Sequence, residues 1–108
     1  MELNKCPYFD VFEEDSIFML TKPLCDILHT LENPNFCNCL NIALFPIEIC
    51  ETILHYLEHD RGVDSKRIKE FYDKYITVDS LYRVDKLIEL WGREKYDTMI
   101  ADMYKLTE

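Results

Sequence analysis

The chain has 108 residues, 48% of them hydrophobic, and a formal net charge of −9 at pH 7. That length suits a single domain over 1–108, and that apolar share supplies a core, which excludes a disordered chain. So acidic a surface repels nucleic-acid phosphates and anionic membranes alike, and no apolar run reaches the roughly 18 residues of a membrane span.

In chain order, "YFDVF" at 8–12 is aromatic and β-branched, which predicts a strand. Polar "EEDS" then makes a turn, and the continuous apolar run "IFML" at 17–20 predicts a second, buried strand. Pro23 suits the first position of a helix, where its missing N–H costs nothing. Leu24, Ile27, Leu28 and Leu31 follow at i, i+3, i+4 and i+7, one apolar face. "ENPNFCN" breaks that helix, and "LNIALF" at 40–45 predicts a third strand.

Pro46 opens the next helix, with Ile49, Cys50, Ile53 and Leu57 on its face and Gly62 as its stop. A shorter helix over 66–75 carries Ile68, Phe71, Tyr72 and Tyr75 on one side. Asp79 reads as an N-cap for a helix bearing Leu81, Val84, Ile88 and Trp91, which Gly92 ends. The last helix places Tyr96, Met99, Ile100, Met103 and Leu106 together. The expected order is β-β-α-β-α-α-α-α, an α/β (α+β) domain.

No constellation of an enzyme emerges. Two glycines thirty positions apart cannot make a phosphate loop, and Ser16, Ser65 and Ser80 stand in turn or capping contexts. The five cysteines are odd in number, and Cys6, Cys25 and Cys50 lie in apolar runs, so reduced, buried thiols are expected. Cys37 and Cys39 could offer two thiolates, but a structural zinc needs four ligands. Glu51, His55 and His59 recur at four-residue spacing, which can point metal ligands the same way, but the stronger reading is a solvated helix face, with the histidines near a C-terminus that favours positive charge. The expectation is therefore no catalytic site, no metal and no cofactor.

Two features point to protein partners instead. Residues 1–60 hold two basic against eleven acidic residues and carry the whole charge, while 61–108 are balanced; an acidic half can attract a basic protein. The second half is rich in aromatics, and Tyr82, Leu87, Leu90 and Tyr104 fall off the main apolar faces of their helices. A helix apolar on two sides has two surfaces to cover. The N-terminus has no apolar run behind a basic start, so a cytoplasmic or nuclear protein is expected.

Three stretches carry a resemblance. They are "DSIFMLTKPLCDILHTLE" at 15–32, "LFPIEICETILHYLEHD" at 44–60 and "ITVDSLYRVDKLIELWG" at 76–92. Together they resemble the BTB/POZ-like ubiquitin-ligase adaptors, the family of elongin C and the related adaptor of the F-box ligases. Residues 15–32 are similar to the family's second strand and first long helix. Residues 44–60 are similar to its third strand and the helix after it. Residues 76–92 lie without gaps on a helix ending Ala-Ala-Asn-aromatic-Leu-Asp.

At those six positions this chain has Leu87, Ile88, Glu89, Leu90, Trp91 and Gly92. The resemblance implies a small three-stranded sheet packed on about five helices. It implies a non-catalytic adaptor between a cullin-type scaffold and a substrate receptor in a ubiquitin-ligase complex, and Glu89 and Leu90 match the pair that helps meet the cullin. The receptor surface is expected on a groove of the last three helices, from Tyr75, Tyr82, Leu90, Trp91, Tyr96, Met99, Met103 and Tyr104. A self-associating homodimer, a small thiol or metal protein and a structural subunit of another complex are the alternatives.

Overall fold

The computed structural model describes residues 20–31 and 44–107, and over them the chain forms five helices: α1 Lys22–Leu31, α2 Pro46–His59, α3 Ser65–Tyr75, α4 Val84–Trp91 and α5 Arg93–Thr107. Helix α1 packs on α2. Helix α5 runs through the middle of the arrangement, touching α2, α3 and α4.

The expected three-stranded sheet, and with it the α/β class, is overturned: the described residues are all helix, turn and loop, with no strand among them. The segments 8–12, 17–19 and 40–43 lie outside the described residues. Leu20 stands in a turn, as does Leu44. The backbone carbonyl of Leu44, which a sheet would have needed, instead accepts from the Val84 N–H at 2.9 Å and satisfies one of the four orphan donors at the start of α4. An apolar run as short as "LNIALF" has no periodicity that separates a strand from the lead-in to a helix.

Periodicity and caps account for the helices themselves. Leu24, Ile27 and Leu28 of α1 are fully buried, with Leu31 at the rim. In α2 the buried face is Ile49, Cys50, Ile53 and Leu57, joined by Ile47 and Leu54. Its end is a Schellman-type stop: the Val63 N–H reaches back to the Leu57 carbonyl at 2.9 Å, and Gly62 supplies the left-handed turn at φ 69°. Asp64 then caps α3 through its carboxylate, which accepts from the Lys66 N–H at 2.9 Å. Ile68, Phe71 and Tyr75 turn inward from α3, while Tyr72 remains 45% exposed.

Helix α4 begins later than its sequence indicates. The Asp79 carboxylate accepts from the Leu81 N–H at 2.8 Å, and its carbonyl accepts from the Tyr82 N–H at 3.0 Å, so Asp79 closes a turn rather than capping the helix. Val84 and Leu87 form the buried side of α4, with Ile88 and Trp91 partly buried beside them. Leu81, expected on that face, is 63% exposed. Gly92, at φ 91°, is the single residue between α4 and α5.

One buried cluster takes residues from all five helices. Tyr96, Met99 and Met103 line it from α5. The Tyr96 hydroxyl donates to the Leu20 carbonyl at 2.9 Å, which satisfies a polar group that burial would otherwise penalise.

Candidate partner-binding surface

The outer side of α4 is the first part of the candidate surface. A helix that buries Val84 and Leu87 points Lys86, Glu89 and Leu90 the other way. Leu90 is 56% exposed. Tyr82, arriving from the Asp79 turn, lies against this side, and the four residues Tyr82, Lys86, Glu89 and Leu90 line a hollow of about 260 Å³. Its rim carries both charges, with Lys86 and Glu89 paired at 3.7 Å across i, i+3.

The second part lies where α3 meets the α4–α5 corner. Tyr75 and Trp91 approach with ring centroids 6.3 Å apart, and the Lys95 ammonium sits 4.5 Å over the indole. With Lys74, Glu94 and Thr98 they line a hollow of about 470 Å³. A smaller one of about 220 Å³ continues on the far side of Lys74 and Tyr75, toward Arg67 and Leu106. Trp91 is the partly buried aromatic wall of this groove, and the buried Tyr75 is its floor.

Electrostatics hold that floor in place. The Tyr75 hydroxyl donates to the Asp102 carboxylate, and Lys74 pairs with the same oxygen at 3.3 Å. Burial, and then the Asp102 contact, push the Tyr75 phenol above its ordinary pKa. The Tyr75 hydrogen bond, aided by Lys74 and Lys105, keeps the Asp102 carboxyl below the ordinary carboxylate range against the opposing effect of burial.

The expected partner residues do not share one surface. Tyr82, Glu89 and Leu90 meet on the outer side of α4, and Tyr75 and Trp91 meet in the groove. Tyr96, Met99 and Met103 are fully buried in the core, where no partner meets them without opening the domain. Tyr104 is partly buried and feels the charges of Asp26 and Lys22, which places it toward α1. Burial pushes its phenol above the ordinary value. Lys86, Lys95 and the Lys74–Asp102 pair were not singled out by sequence, since charged residues on a helix face usually mark nothing more than solvent.

Among the described residues no group of three or more His, Cys, Asp or Glu side chains could hold a metal ion, and no helix is long and apolar enough to cross a membrane. Cys25 and Cys50 are free and buried. Burial, with a lesser contribution from the Glu51 carboxylate, pushes the Cys50 thiol well up. Cys6, Cys37 and Cys39 lie outside the described residues. No family model, no curated protein and no solved structure matches the chain.

Proposed function

We propose that this chain is a non-catalytic adaptor subunit that works by binding other proteins. The observation that carries the reading is the outer side of α4: Leu90 stands 56% exposed beside the hollow it shares with Tyr82, and Leu81 stands 63% exposed at the turn just before. Large aliphatic side chains left in water at a concave spot with a charged rim are the usual make-up of a partner site. The occupant that fits is an amphipathic helix laying leucine-sized side chains against Leu90 and Tyr82.

A ubiquitin-ligase setting, with a cullin-type scaffold and a helical receptor as partners, is the specific form of this proposal. It rests on the sequence resemblance at 76–92, and not on a shared sheet. Affinity capture from the native cell by the wild-type chain and by Leu90→Ser tests it. A cullin and a receptor recovered by the wild type and lost with Leu90→Ser support the specific form. Other proteins lost in the same way support an adaptor in a different complex. Partners that are retained by Leu90→Ser in full remove this surface from consideration.

A further inference from the structure

His55 and His59 sit one turn apart near the C-terminal end of α2. The i, i+4 spacing places both on one side of the helix, and both are exposed. Their ring centroids are 4.5 Å apart, with the ring planes inclined at 47°. The opposite side of α2 is locked into the core by Ile53 and Leu57, so the backbone that presents the two rings is held before any ligand arrives.

That separation has a chemical meaning. An imidazole nitrogen binds a divalent zinc-like ion at about 2.0–2.1 Å, which sets the ion roughly 3.2 Å from the ring centroid. Two centroids at the observed separation then subtend about 90° at one ion, close to the cis angle of square-planar or octahedral coordination and somewhat under the tetrahedral one. Both side chains are exposed, so rotation about their side-chain torsions can turn one nitrogen of each ring toward the same ion. The same i, i+4 pairing of histidines on a helix holds zinc in metalloprotease sites. Glu51, Glu58 and Asp60 surround the pair in sequence, with Arg61 the nearest basic residue, so local charge favours a cation.

We infer that His55 and His59 form a two-imidazole site for one divalent transition-metal cation of the nickel or zinc type. No third side chain completes a group among the described residues, so the other coordination positions fall to water or to a ligand brought by another molecule. Such a site is an accessory of the fold and not its foundation. A bound ion clips the last turns of α2, and it stabilises the native state by mass action.

The test uses Ni2+ on the untagged chain with its thiols reduced, because nickel prefers imidazole and does not oxidise cysteine. Calorimetric titration is expected to give one ion per chain. His55→Ala and His59→Ala are each expected to weaken binding at least tenfold, while the Cys37→Ser/Cys39→Ser double variant stays within twofold of the wild type. Saturating Ni2+ is expected to raise the melting temperature of the wild type and not that of His59→Ala. Both histidines are exposed, so circular dichroism should report intact helices in the alanine variants. No binding by the wild type overturns the site, as do single-histidine variants that bind within twofold of it. An ion that follows Cys37 and Cys39 instead of the histidines overturns it as well.

Discussion

Tyr75 of α3 donates its hydroxyl to the Asp102 carboxylate of α5, and this bond ties together the two helices whose junction forms the groove. Removing the hydroxyl with Tyr75→Phe leaves Asp102 paired to Lys74, so the cost falls near the lower end for a charge-assisted bond, about 1.5 kcal/mol at pH 7. Urea denaturation measures it.

The same bond sets a pH signature. Asp102 has its carboxyl pKa depressed in the folded state, so its contribution is present above the ordinary carboxylate value of about 4 and is lost as pH falls through the lower folded value. Tyr75 is raised, so its contribution is full below about pH 10 and disappears as pH rises through the higher folded value. The stability gap between the wild type and Tyr75→Phe is expected to shrink at both ends. A gap that stays constant from pH 3 to pH 7 would show that Asp102 is not the partner in solution.

Leu90 and Met103 look alike in sequence as apolar residues on neighbouring helices, but one is exposed and the other fully buried. Met103→Ala is expected to lose about 2–5 kcal/mol of stability, through transfer and cavity costs. Leu90→Ser is expected to shift stability by no more than about 0.5 kcal/mol. Thermal melts of the two variants side by side decide this, and a Leu90→Ser chain that melts like Met103→Ala would place Leu90 in the core.

Trp91 gives a direct readout of the groove, being the single tryptophan of the chain. A partner helix seated against Trp91 and Lys95 is expected to shift its fluorescence. If the indole is a central anchor, Trp91→Ala weakens that binding by about 2–4 kcal/mol. An unchanged emission spectrum at saturating partner would exclude the groove and confine the contact to the outer side of α4, at Leu90 and Tyr82.

The turn between α2 and α3 concentrates two local signals. Gly62→Ala forces a side chain into a left-handed backbone at φ 69° and is expected to cost about 1–2 kcal/mol. Nothing lies within 4 Å of an added Cβ there, so the cost is conformational and not steric crowding by neighbours. Asp64→Ala removes the α3 cap and is expected to cost about 1 kcal/mol. Gly62→Asn, which tolerates the left-handed region better, should recover part of the loss.

Cys50 is expected to resist alkylation in the folded chain, because burial keeps its thiol protonated and out of reach. Mass spectrometry of peptides after a short iodoacetamide pulse, with and without urea, reads this. Rapid modification without denaturant would mean that the core around Cys50 opens readily.

The apolar faces of α1, α2 and α5 are legible in the sequence, and that of α3 in part, since Tyr72 stands exposed beside Ile68, Phe71 and Tyr75. A 3.6-residue period is a local property, and Pro46, Gly62 and Gly92 punctuate it with chemistry that acts within one turn. The sheet was not legible, since short apolar runs carry no period, and Leu44 gives its carbonyl to Val84 rather than to a neighbouring strand. Asp79 misled in a related way, because an Asx turn and a helix cap use the same carboxylate and differ only in the backbone path of the next few residues.

By itself the sequence determined where most helices run and which side of each is apolar. Tertiary structure decided which of the two apolar sides of α4 is covered. Val84 and Leu87 went inward where α4 turns onto α5 at Gly92, and Leu90 was left in water. That choice depends on contacts between residues far apart in the chain, such as the one from Leu44 to Val84, and no local pattern encodes them.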